Sequence, residues 1–244
     1  MRLIGAGAVR ESDGAMLRAG VEIKIQPGWK TYWRYPGDSG VPPMFDFAAS
    51  ENVKSATVLW PAPVRFSDGA GHSIGYKGGV IFPLRVVPRE PGKPVTLRLS
   101  LDYAVCETLC VPAKGKAELA LSGAAGSQEA ALKSAEARVP KPAAWGDGPA
   151  LMLRKAWRDT TSGKPRVLVE VAAPAGAAVD LFAEGPTSDW ALPLPEPVAG
   201  AAAGTRRFAF DLDGLPTGAT AQGAAIRLTA TSGQEAIEAV FRLD

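Results

Sequence analysis

Proline and glycine constrain this chain more than any other feature, because 21 prolines and 27 glycines in 244 residues fall between short apolar runs. The spacers they make cannot be helix interiors. From Leu17 the run MLRAGVEIKI alternates apolar and polar residues, the period of a half-buried strand. Further strands are expected at Ser55 to Trp60, Val80 to Val87, Val95 to Val105 and Ala117 to Leu121. After residue 148 six more follow, at Ala150 to Trp157, Arg166 to Ala172, Val179 to Ala183, Arg206 to Leu212, Ala225 to Thr231 and Ala236 to Leu243. Between the two sets, Ser127 to Arg138 has helix formers, no β period and a cap candidate in Ser127. The expectation is an all-β chain of two sandwiches joined by a short, partly helical linker. The first occupies residues 1–122, the linker 123–148 and the second 149–244.

Composition narrows the function. Hydrophobic residues at 46% and charged residues at 21% are ordinary for a globular protein. The formal charge is +2, from 27 basic and 25 acidic residues, and no run of five basic residues occurs. Nucleic acid is therefore not an expected partner. Nor does any stretch approach the roughly 18 consecutive apolar residues of a membrane-spanning helix. The opening MRLIGAGAVRESDG lacks a signal-peptide core, so either an export signal lies outside this chain or the protein is cytosolic.

Chemistry concentrates at one place. The two cysteines, Cys106 and Cys110, stand four apart in DYAVCETLCVPAKGK, after an expected strand and before a proline that should stop regular structure. A tight loop is the expected setting. Bonded to each other they would close a ring of five residues, worth only about 2 kcal/mol by the chain-entropy relation. A bond meant to hold a sandwich joins distant strands, whereas a pair in a short loop leaves its sulfurs within reach of another thiolate. Exchange is the favoured reading, and a modest structural bond or a free thiol pair are its alternatives. Zinc would need four ligands, and only His72 could join the cysteines. Copper(I) needs fewer, so Cys106 and Cys110 with Met44 or His72 form a candidate set. No cofactor is required for exchange. Glu107 and Asp102 flank the pair, and the nearest cation in sequence is Lys114. Such neighbours do not favour a thiolate, which points to a reductant. His72 is the only histidine and lies in an expected loop, SDGAGHSIGYKGG. Trp29, Tyr32, Trp33 and Tyr35, in GWKTYWRYPGDSG, can pack a core or line a surface. A surface role for them would suit a non-redox adhesion or sugar-binding sandwich. The second half has no Cys and no His and reads as a spacer or docking module.

Four ordered stretches, GWKTYWRYPGDSGVPPMFDF, ENVKSATVLWPAPVRF, GYKGGVIFPLRV and LDYAVCETLCVPAKGKAELAL, carry a further signal. Across about 120 residues the chain resembles the N-terminal domain of the DsbD family of thiol:disulfide interchange proteins, in the branch that includes the suppressor-of-copper-sensitivity protein ScsB. The resemblance implies an immunoglobulin-like sandwich in the periplasm. Such a domain receives electrons from a thioredoxin-like domain fed by a membrane transporter, and passes them to oxidised periplasmic proteins. It makes Cys106 and Cys110 the redox pair, with Cys110 facing the partner and Cys106 resolving the mixed disulfide. It sets a cap loop at Asp68 to Ile74, including His72, and aromatic rim residues at Tyr32 and Trp33. CETLC is shorter than the spacing of the best-known DsbD proteins and suits the ScsB-like branch, while the aromatic tip expected of the cap is not evident in SDGAGHSIG.

Overall fold

A computed structural model describes residues 1–11, 14–38, 40–67, 71–124, 126–148, 150–161 and 163–244. The chain divides into two compact units, one carried by residues 1–139 apart from a short stretch 69–72, the other by residues 140–244. In chain order the first contains β1 (Arg2–Gly5), β2 (Val9–Glu11), β3 (Gly14–Lys24), β4 (Lys30–Gly37), β5 (Met44–Asp46), β6 (Val53–Val58), β7 (Val64–Ser67), β8 (His72–Lys77), β9 (Gly79–Pro88), β10 (Val95–Cys106), β11 (Cys110–Leu121) and helix α1 (Glu129–Ala137). The second contains β12 (Lys141–Pro142), β13 (Met152–Asp159), β14 (Arg166–Ala172), β15 (Asp180–Glu184), β16 (Glu196–Val198), β17 (Thr205–Asp211), β18 (Ala225–Ser232) and β19 (Glu235–Arg242). The all-β expectation holds, and each unit is a two-sheet sandwich of the immunoglobulin-like kind.

In the first unit one sheet has the order β1-β3-β9-β6, with β2 beside β3, and the other the order β11-β10-β4-β8-β7, with β5 beside β10. Alternation fills the space between them. Ala19, Val21 and Ile23 of β3, Phe82, Leu84 and Val86 of β9, and Leu97, Leu99 and Leu101 of β10 are all buried. Phe82 is the hub, its ring edge-on to Phe45, Trp60 and Tyr76 with centroids 5.2, 5.1 and 5.4 Å away. Removing its side chain would open a hole among all three rings.

Helix α1 covers the opposite face of the first sheet. Leu132 is fully buried against Ile4, Ala6 and Ile81, and it comes so close to Gly20 that a Cβ there would lie 2.9 Å from Leu132 Cδ1. Arg18, on the same face as Gly20, donates to both oxygens of Glu136 and to Glu129. Those bonds raise its pKa, the Glu136 hydrogen bonds most of all. The helix starts at Glu129, with Gln128 and not Ser127 in the cap position and no side-chain cap bond. The Glu129 carboxylate instead accepts from the Gly7 N–H at 3.0 Å, a tertiary contact that no local pattern announces.

The second unit pairs β12-β19-β18-β15 with β13-β14-β17-β16 over a core that includes Leu153, Val169, Leu181, Phe208, Ile226 and Leu228. All six strands expected there are present, some shifted by one or two residues at an end. Strands β1, β2, β5, β7, β12 and β16, each of two to four residues, were not expected, nor were β4, which is dense in aromatics, and β8. The loop expected around His72 is in fact partly strand β8.

Candidate active site

Strands β10 and β11 form one long hairpin whose register runs without a slip from Val95↔Leu121 to Cys106↔Cys110. The cysteines are thus not inside a loop, as their spacing suggested, but are the last facing pair of two strands. Three residues, Glu107 to Leu109, make the turn, and the Glu107 N–H donates to the Leu109 carbonyl at 3.3 Å. Pro112 does not stop the structure either, since it lies within β11 opposite Ala104. The reason is topological: β11 is the edge of its sheet, where a residue lacking an N–H is tolerated. Opposed in this way, the two Cα atoms are 4.1 Å apart and the sulfurs are joined in a disulfide.

Leu97, Leu99 and Leu101 point between the sheets, so Asp102, Ala104 and Cys106 point outward. Ala104 and Cys106 are nevertheless buried, because Tyr32 lies over them in a small cluster of its own. Tyr32 is brought there by β4, which pairs with the end of β10 through Val105↔Thr31 and Cys106↔Lys30. The Thr31 hydroxyl donates to the Ala104 carbonyl at 2.8 Å and fixes that pairing. Two glycines make room. Gly75 of β8 faces Tyr32, and a Cβ there would collide with the Thr31 carbonyl oxygen. Gly40 lies against the tyrosine ring, 2.6 Å from a would-be Cβ to Cδ1.

The Tyr32 hydroxyl is 2.9 Å from Cys106 Sγ and 3.1 Å from Cys110 Sγ. The sulfurs differ in access. Cys106 is 1% exposed, whereas Cys110 is exposed between Leu109 at 79% and Val111 at 46%. A macromolecule can reach only one of them.

Charge around the pair differs from its appearance in sequence. Asp102 is paired with Lys114 across the hairpin at 3.1 Å, so that cation is engaged. Glu107 rests against Gly28, whose φ of +88° also suits glycine. Lys30 is buried and opposite Cys106 in register, with its Nζ 4.7 Å from the Phe66 ring centroid. Local sequence could not have found it, nor the Tyr32 contact, which spans 74 residues.

Of the other expected site residues, Trp33 is wholly buried with the Arg34 guanidinium 4.4 Å from its ring centroid. Ile74 is also wholly buried, within β8, and His72 opens that strand half-buried. Asp68 lies outside the described residues. Met44 is exposed on β5 opposite Asp102, four residues and so roughly 13 Å along the strand from Cys106. Among the described residues, no group of three or more His, Cys, Asp or Glu gathers as a metal site would require.

The crystal structure of the N-terminal periplasmic domain of ScsB from Proteus mirabilis matches this fold with a TM-score of 0.72 and 22% identity, covering 98% of this chain and 91% of that one. No curated protein matches the chain. Residues 6–122 match the family described as thiol:disulfide interchange protein DsbD, N-terminal, and that segment contains the whole β10–β11 hairpin. The resemblance carried by the four ordered stretches therefore holds over residues 6–122, the segment that matches the DsbD N-terminal family of thiol:disulfide interchange domains.

Proposed function

We propose that Cys106 and Cys110 are the redox pair of a periplasmic electron carrier, reduced by a thioredoxin-like domain of a membrane transporter system and oxidised by disulfide-bonded client proteins. The observation that carries this reading is the asymmetry of access, with one sulfur open between two exposed apolar residues and its mate buried. In the loading step a partner thiolate attacks Cys110 Sγ and the bond to Cys106 breaks, leaving a mixed disulfide and a Cys106 thiolate. Attack by that partner's second thiolate on the mixed disulfide then releases the reduced carrier. In the unloading step the Cys110 thiolate attacks a client disulfide, expelling one client thiolate, and Cys106 resolves the mixed disulfide by expelling the other. Net, two electrons pass from partner to client. The periplasmic setting of the ScsB domain supports the compartment. The cap role of residues 68–74, including Asp68, His72 and Ile74, and the use of the second unit as a spacer or docking module belong to the same proposal.

With Cys106→Ser, client-bound Cys110 has no resolving partner, and mixed disulfides should accumulate in a periplasmic extract. The wild-type pair should also equilibrate with glutathione or thioredoxin at a potential above about −300 mV, the range of exchange-competent disulfides. A pair well below that range, together with an empty trap, would make the bond structural.

A further inference from the structure

The burial of Cys106 poses a problem for the exchange just proposed. When the bond to Cys110 opens, the electron pair goes to a sulfur that is 1% exposed, and a thiolate removed from water is disfavoured unless something donates to it. Disulfide sulfurs carry no hydrogen. The hydrogen bonds of 2.9 and 3.1 Å at the pair therefore both draw on the single Tyr32 O–H, which is shared between two poor acceptors.

We propose that Tyr32 is the catalytic hydrogen-bond donor of the exchange, its O–H turning wholly to Cys106 Sγ as that sulfur takes up the electron pair. The inference rests on the exchange reading of the same pair. In the step, the incoming thiolate forms a bond to Cys110 Sγ while the Sγ–Sγ bond breaks. The negative charge moves from the attacker to Cys106 Sγ, and the hydroxyl hydrogen stays on oxygen while its hydrogen bond shortens toward the new anion. A thiolate is a far better acceptor than a disulfide sulfur, so the bond stabilises the product side and the transition state more than the resting state. In the client-reducing direction the same hydroxyl holds the Cys106 thiolate ready to resolve the mixed disulfide.

Among the described residues, the charged groups on the neighbouring strands and turn have contacts of their own. Lys30 stands opposite Cys106 with its ammonium over Phe66, Lys77 lies over the same ring at 5.6 Å, Arg34 stacks on Trp33, Asp102 and Lys114 hold each other, and Glu107 lies against Gly28. Tyr32 is the group that, among the described residues, touches both sulfurs.

The test compares Tyr32→Phe with wild type, using glutathione and reduced thioredoxin as attacking thiols. Phenylalanine keeps the ring in the Gly40 cradle, so the disulfide and the fold should persist. Attack on the oxidised protein should slow about tenfold with both probes, the effect of one hydrogen bond to a charged group. In a Cys110→Ser background, the thiolate titration of Cys106, followed by ultraviolet absorbance, should move up by about one pH unit. A fluorinated tyrosine at Tyr32, with the same shape and a more acidic hydroxyl, should quicken exchange. Rates and titration unchanged in both variants would overturn the role of Tyr32 while leaving the redox pair intact. A wild-type protein inert to both thiols would instead remove the exchange reading itself.

Discussion

The two sandwiches use the outward face of a sheet in opposite ways. In the first, the outward positions near the tip of β10 are small or reactive, and Ala104 and Cys106 lie under one tyrosine. In the second, the outward side of β14 carries Glu170, nearly buried, with Arg207 donating to it at 2.5 Å and Lys155 at 3.5 Å. Trp157 lies beneath both cations, with ring centroid distances of 4.6 and 5.4 Å. The hydrogen bond from Arg207 holds the Glu170 carboxyl below its ordinary pKa. Inward faces of both units are aliphatic and aromatic. What separates a reactive site from a static surface is therefore the handful of residues at outward positions, and whether their polar groups are already satisfied by one another.

The sharpest way to break this contrast is to remove each centre in turn. Cys110→Ala should abolish exchange with reduced thioredoxin, whereas Glu170→Gln should leave the rate within about twofold. Loss of exchange in the glutamate variant would show that the second unit takes part in the chemistry. Next in size is the core. Phe82→Ala should lower the stability of the first unit by about 3–5 kcal/mol in denaturant titrations, as large aromatic deletions do. Reduction of the disulfide should cost about 2 kcal/mol or less, because the hairpin already holds the ring closed. A larger effect from reduction than from Phe82→Ala would make the bond a structural staple after all.

Smallest is the charge network of the second unit, where Glu170→Ala should destabilise by about 1 kcal/mol by removing the acceptor of the Arg207 hydrogen bond. Asp159 belongs to the same story. Hydrogen bonds from the Thr161 side chain and backbone, then from Arg166, hold its pKa at about 2. Both carboxyls are more acidic folded than unfolded, so their stabilisation is complete above the ordinary carboxylate range and is lost as pH falls through the folded values. Acid unfolding followed by tryptophan fluorescence should thus have its steep limb below about pH 4, the ordinary carboxylate value. Asp159→Asn should flatten it, and an unchanged limb would place the acid sensitivity elsewhere.

Much of the molecule could be read from its residues. Alternation located β3, and short apolar runs bounded by proline, glycine and other turn residues located β9, β10 and the strands expected in the second unit, including β14 and β15, which are buried on both faces. Cys106 and Cys110 stood out by type and spacing. What escaped was whatever depended on distant partners. Strand β4 is dense in aromatics because both of its faces are covered, so it has no alternation to detect. Pro112 looked like a terminator because its place on an edge strand is a property of the sheet. Tyr32 could be matched to an aromatic rim position, but its contact with both sulfurs exists only once β4 lies beside β10. Gly40 and Gly75, which create that opening, are indistinguishable in sequence from the turn glycines around them.

The position of the disulfide also bears on how long the protein survives in use. A pair with the proposed exchange role is oxidised and reduced over and over, and proteases remove chains according to how often they open. Because Cys106 and Cys110 join two strands that twelve facing pairs already hold together, the reduced form gains almost no slack. Under the proposed exchange role, turnover of electrons would thereby be uncoupled from turnover of the chain, and the oxidised and reduced forms should be degraded at similar rates.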